Sequence, residues 1–132
     1  MSLSIVQLVF DCDNAESLAE FWSAVLERPV DDGANPFFAT IGRGGAGLAL
    51  MFIKVPEGKQ VKNRLHIDLH GTGQAGQDQH DGQAELQRVI GLGAKQVSEH
   101  REYGVHWVTL SDPEGNEFDV EIGPDPGSSG PA

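Results

Sequence analysis

One order of apolar patterns occurs twice in this chain, and that recurrence constrains its fold more than any other feature. The first occurrence opens with Ile5-Val6-Gln7-Leu8-Val9-Phe10-Asp11-Cys12, a β-branched and apolar run that predicts a largely buried strand. Asp13 or Asn14 then offers a helix N-cap. Leu18, Phe21, Trp22, Val25 and Leu26 fall at i, i+3, i+4, i+7 and i+8, a single stripe on a helix that Pro29 stops. A short strand near Val30 is weakly signalled. Phe37 to Ile41 reads as a strand, and the glycines at 42, 44, 45 and 47 make a hairpin turn into a further strand, Leu48 to Val55.

The second occurrence begins with a strand at 64 to 70. A Gly/Gln-rich loop from Gly71 to Gln77 leads to Asp81, a second candidate N-cap, and to a helix carrying Leu86, Val89 and Ile90. Strands are expected near Lys95 to Ser98, His106 to Ser111 and Glu117 to Ile122, the last two joined by the turn Asp112-Pro113-Glu114-Gly115-Asn116. His100 to His106 reads as a polar loop. Gly123 to Ala132 is rich in Pro and Gly and is expected to be a disordered tail. Each half therefore reads β-α-β-β-β. Residue identity between the halves is low, so the duplication rests on order and spacing.

A chain of 132 residues with 39% hydrophobic content affords one packed domain. Acidic side chains outnumber basic ones 20 to 9, for a formal charge of −11. Such a surface repels phosphate backbones and anionic lipid, which argues against nucleic-acid and membrane partners. No apolar run reaches the ~18 residues of a membrane span, and no basic-then-apolar leader is apparent. The single cysteine, Cys12, excludes an intrachain disulfide, and its apolar neighbours predict an inert core thiol. The expected location is the cytoplasm.

Leu65-His66-Ile67-Asp68-Leu69-His70 alternates strictly, so a strand turns its apolar residues one way and His-Asp-His the other. Two imidazoles and a carboxylate can build a metal or acid–base site, and they equally suit a solvated strand face. Asp68 can orient His66, and His70 can serve as a base. Trp22, Phe37, Phe38, Phe52 and Trp107 suit either core packing or the walls of an apolar pocket, with packing the better default. His80, between Asp78 and Asp81, reads as a solvated helix start.

The two-unit order, with FDCDNAESLAEFW opening the first half, LHIDL opening the second and SDPEGNEF leading into the last strand, resembles the vicinal-oxygen-chelate superfamily. That is the group of glyoxalase I, bleomycin-resistance proteins and extradiol dioxygenases. The similarity is closest to bacterial glyoxalase-like domains and covers residues 4 to 122, in modules of about 4–56 and 63–122. It implies an α+β fold in which two βαβββ modules form a half-open, mostly antiparallel barrel around a cleft.

In metal-binding relatives the cleft holds one divalent ion, with ligands from the first and last strands of each module. Carried over, the resemblance implies Gln7, His66 and Asp119 as ligands. The fourth position falls on Met51 or Ile53, depending on how the halves are aligned, and both are apolar. Zn, Ni, Mn or Fe suits such a set, and binding without a metal is the competing reading. Asp119, Glu121 and His70 are the implied candidates for proton transfer.

The resemblance leaves three functions open. The first is a small-molecule-binding domain acting as a metal-dependent lyase or isomerase with a degenerate metal site. The second is a metal-free sequestration protein of the bleomycin-resistance type, and the third is a domain that acts through its surface in a complex. Ring-cleaving dioxygenase chemistry is disfavoured, because Gln7 stands where a first His is needed. A homodimer is expected, since a half-barrel leaves strand edges to pair.

Overall fold

The computed structural model describes residues 2–71, 82–125 and 127. The expectations at Asp78, His80 and Asp81 lie outside the described residues. The chain gathers into two compact units, Met1–Gln60 and Val61–Ala132. Among the described residues each carries one helix and one open, mixed sheet, of three and four strands respectively, so the class is α+β as expected.

In the first unit, β1 (Gln7–Cys12) is followed by α1 (Ala15–Leu26), β2 (Phe38–Ile41) and β3 (Ala49–Lys54). Asn14 is the N-cap. Its backbone is extended and its Oδ1 accepts the Ser17 amide at 3.1 Å. The helix ends at Leu26, two residues before Pro29 would force it to, because Glu27 adopts a left-handed conformation at φ 53°. Of the predicted stripe, Leu18, Phe21, Trp22 and Val25 are buried, Leu18 and Trp22 essentially sealed, while Leu26 at the helix end is half-buried. Trp22 meets Phe10 at 5.5 Å between ring centroids, and Phe10 stacks on Phe52 at 5.0 Å. These contacts clamp α1 to one face of the sheet.

The sheet order is β1-β3-β2, with β1 parallel to β3 and β2 antiparallel to it. The strand expected near Val30 is reduced to a single antiparallel bridge, Val30 to Ile41. The Asp31 amide extends this contact by donating to the Thr40 carbonyl at 2.9 Å. The Asp31 carboxylate accepts the Thr40 hydroxyl at 2.7 Å and the Arg43 and Gly42 amides at 2.9 and 3.3 Å, which ties down the glycine turn. Gly42 suits that turn because its φ is 73°, a left-handed conformation that side chains rarely adopt.

In the second unit, β4 (Ile67–Leu69), α2 (Gly82–Gly91), β5 (Lys95–Glu102), β6 (Val105–Ser111) and β7 (Glu117–Pro124) give a full βαβββ order. The sheet runs β4-β7-β6-β5, with β4 parallel to β7 and the other pairs antiparallel. Val108, Leu110, Phe118 and Val120 are buried on one face, as are Leu86 and Val89 of α2, which packs against β7. Gly82 lets the helix approach this closely, because a Cβ there would run into the Ile122 backbone.

Two expectations are corrected. His100 to His106 is a hairpin rather than a loop: β5 continues to Glu102 and pairs with β6 through Glu102↔Val105. Tyr103 and Gly104 form its two-residue turn, with φ of 55° and 76°, the type I′ signature. The charged residues hid the alternation of an edge strand, and Tyr is not a residue that announces such a turn. Gly123 to Asp125, expected in a disordered tail, are instead tied to the hairpin. Gly123 and Pro124 pair with His106 and Val105, and Asp125 donates its amide to the Gly104 carbonyl at 2.8 Å.

Phe52 is fully buried at the centre of the first unit's aromatic cluster. Phe52→Ala is expected to cost about 3–5 kcal/mol of stability in denaturant titration, through the cavity it leaves. The hydrogen bond from Thr40, then those from the turn amides, and the charge of Arg28 hold Asp31 below its usual carboxylate range. Its folded-state pKa is thus depressed. The stability it confers is fully present above the unfolded-chain pKa and is lost as pH falls through the folded value. Asp31→Asn should therefore lower the melting temperature at neutral pH, with the difference from wild type shrinking on acidification below the normal carboxylate range.

Candidate functional site

In the second unit α2 covers one face of the sheet, and the opposite face carries a cavity of about 540 Å³. Strand alternation decides what lines it. Trp107 and Thr109 point there from β6, and Glu117, Asp119 and Glu121 point there from β7, while their neighbours in sequence enter the core. Asp68 of β4, with His66 just before it, joins from the far edge, and His100 and Glu102 join from β5.

Register sets these side chains in rows. Asp68 is opposite Asp119, and Asp119 is opposite Thr109. The Thr109 hydroxyl donates to Asp119 Oδ1 at 2.6 Å. His66 Nδ1 lies 2.9 Å from Asp68 Oδ1 and 3.7 Å from Asp119 Oδ2. One ligand atom from each of His66, Asp68 and Asp119 lies within 4.8 Å of the others. The next row along the sheet holds Glu121, Trp107 and His100. His100 stacks on Trp107 at 5.0 Å and 17°, and its Nε2 lies 2.8 Å from the Ser98 hydroxyl.

The Asp-Pro-Glu-Gly-Asn turn holds this register. Asp112 is buried, and its carboxylate accepts the Glu114 and Asn116 amides at 2.9 and 3.0 Å and the Asn116 side chain at 2.9 Å. Its amide donates to the Asn116 carbonyl at 2.8 Å, closing the loop so that Thr109 and Asp119 face each other. Asp112 is thus a scaffold residue for the cavity.

A family model described as a glyoxalase-like domain matches residues 7–121. The chain belongs to the glyoxalase-like domain family. It is therefore a member of the vicinal-oxygen-chelate superfamily. Solved structures share its fold at low identity. A glyoxalase/bleomycin resistance protein/dioxygenase family enzyme from Burkholderia phytofirmans PsJN aligns with a TM-score of 0.65 at 15% identity, covering 90% of this chain and 98% of that one. A variant of the fosfomycin resistance protein FosX from Listeria monocytogenes, complexed with Mn(II) and 1S,2S-dihydroxypropylphosphonic acid, gives 0.62 at 13% identity, with 92% and 90% covered. Lactoylglutathione lyase from Agrobacterium tumefaciens gives 0.61 at 14% identity, with 92% and 94% covered. No curated protein matches in sequence.

Within this glyoxalase-like domain, strand register resolves which first-unit residue answers Asp119. In the second unit the residue two after His66 pairs with Asp119. In the first unit the residue two after Gln7, Val9, pairs with Met51. Met51, not Ile53, is therefore the counterpart of Asp119. The Gln7 amide Nε2 lies 3.9 Å from Met51 Sδ, just as His66 approaches Asp119 in its own unit. An amide and a thioether occupy in the first unit the places that an imidazole and a carboxylate occupy in the second.

Among the other expected residues, Asp119 and Glu121 line the cavity, and His70 does not: its Nδ1 lies 2.8 Å from the Gly71 carbonyl. Trp22 and Phe52 are core and Phe37 is exposed, whereas Trp107 is a cavity wall. Cys12 is buried, with its Sγ 3.5 Å from the Ile53 carbonyl oxygen. Asp68 lies opposite Asp119 rather than only beside His66; the polar alternation of LHIDLH signals a polar face there, but only the pairing to β7 gives its partner.

Thr109→Val removes a hydroxyl donor from a carboxylate that is only 13% exposed. The expected cost is about 1–3 kcal/mol in chemical denaturation, and Thr109→Ser should restore most of it.

Proposed function

We propose that the second unit of this glyoxalase-like domain is a small-molecule site organised around one divalent cation held by His66, Asp68 and Asp119. The observation that carries this reading is the convergence of those three ligand atoms within 4.8 Å. Asp68 and Asp119 are directly opposed across a strand pair, an arrangement of like charges that is unfavourable by itself. A cation between them relieves that repulsion. An imidazole with two carboxylates suits Mn, Fe, Zn or Ni, the borderline and hard divalent ions.

When bound, the ion supplies a Lewis acid for an oxygen-bearing ligand. The chain's own groups do the rest. Thr109 holds Asp119 in place through its hydroxyl. Glu121 lies two residues beyond Asp119 on the same strand face, about 7 Å along. Its exposed carboxylate is the group placed to take up or return a proton, which supports lyase or isomerase chemistry of glyoxalase type. A metal-free binding site is the second reading. It is favoured by the His66–Asp68 and Thr109–Asp119 hydrogen bonds, which already partner these donors.

Mn(II) or Zn(II) added to chelator-treated protein is expected to raise the melting temperature and to bind stoichiometrically. His66→Ala and Asp68→Asn should each weaken the ion by at least the roughly 10–100-fold seen when a mere supporting partner of a ligand is lost. Absence of a thermal shift with Mn, Fe, Zn and Ni alike would discard the metal and leave the metal-free reading.

A further inference from the structure

We infer that the end of the cavity away from His66 and Asp68 takes a cationic group, an ammonium or guanidinium, of the bound small molecule. This rests on reading the cavity as a small-molecule site, but not on the metal. Three observations carry it.

The first is charge. Five carboxylates line the cavity, those of Asp68, Glu102, Glu117, Asp119 and Glu121, against one Lys or Arg, Lys62. Lys62 is already paired with Glu117 at 2.8 Å. Even with a divalent ion at the His66 end, negative charge remains in excess, and an anionic ligand would be repelled.

The second is the placement of aromatic surface. Trp107 stands in the row between Glu121 and His100. The His100 ring is pinned by Ser98 and stacked on the indole, so Trp107 is held as a fixed wall beside a carboxylate. An indole next to carboxylates favours an organic cation, through the ring quadrupole on one side and ion pairing on the other. Two residues further along the same face, Glu102 lies opposite Val105. Glu102 has no ion-pair partner among the described residues.

The third is strain. Tyr103 lines the same end of the cavity, is 63% exposed and sits at φ 55° in the hairpin turn. A type I′ turn favours Asn, Asp or Gly at this position, and a bulky side chain is penalised there. Among the described residues the Tyr103 side chain makes no hydrogen bond that would account for an aromatic residue at the tip. A second ring at the mouth of an acidic pocket does account for it. The cavity is thus polarised: oxygen-chelating donors at one end, and two aromatic rings with Glu121 and Glu102 at the other, about 7 Å or more along the strands.

The test is titration of benzylammonium into the chelator-treated protein, followed by tryptophan fluorescence and thermal shift, with benzoate and benzyl alcohol as anionic and neutral shape mimics. Benzylammonium should bind at least about tenfold more tightly than either mimic, with an affinity that falls as salt is added. Glu102→Gln combined with Glu121→Gln replaces exposed side chains and should weaken it about tenfold or more. Tyr103→Asn should raise the melting temperature while weakening the amine. Equal binding of the three compounds, preference for benzoate, or an affinity untouched by the double substitution would overturn the inference. Because the protein is metal-free in this experiment, loss of amine binding beside intact Mn(II) uptake overturns this inference alone. Amine binding without metal uptake overturns the metal alone.

Discussion

In each unit the first strand lies parallel to the last, and everything else in the structure depends on that pairing. Parallel neighbours cannot be joined by a tight turn, so the chain must cross over between them, and in both units the crossover includes a helix. The helix packs on one sheet face and leaves the other without helical cover. In the second unit the uncovered face is where β4 and β7 set Asp68 against Asp119. Two carboxylates far apart in sequence meet because the ladder register that buries Phe118 and Val120 on the helix side, with Ile67 and Leu69 half-buried beside them, turns Asp68 and Asp119 to the other face.

The same register argument explains why the two units differ chemically though their pairing is alike. Gln7 and Met51 take the positions of His66 and Asp119. An amide is a weak neutral donor and a thioether a soft one, so neither adds charge to attract a hard ion. The second unit collects carboxylates on its uncovered face, while the first unit carries Val9, Met51 and Ile53 there. The parallel pairing of first and last strands is thus shared by the two units, while their side-chain chemistry differs.

Much of the frame was legible from residues alone. The stripe Leu18-Phe21-Trp22-Val25 announced α1, because an amphipathic period of 3.6 has few alternatives beside a capped start at Asn14. The Asp112 turn announced the β6–β7 hairpin, because Asp, Gly and Asn at those offsets satisfy one another locally. His66 and Asp119 were legible through family resemblance, and they do approach each other. Less was visible where local chemistry misleads. The stretch from His100 to Val105 looks like a solvated connection by composition, yet cross-strand pairing to β6 makes it an edge strand with a strained Tyr at its turn. His70 continues the polar alternation of its strand, but β4 ends at Leu69, and the side chain turns to the Gly71 carbonyl instead of the cavity.

The sequence by itself determined the periodicities, the caps and turns, the acidic balance, the α+β order and the kinds of side chain available for a site. Those are local or compositional properties, written within a few residues of chain. Tertiary structure decided which donors meet: that Asp68 rather than His70 joins His66 and Asp119, that Met51 rather than Ile53 answers Asp119, and that Trp107 lines a cavity instead of filling the core. Those outcomes depend on strand register, and register follows from the simultaneous burial of one whole sheet face, which no short stretch of sequence contains.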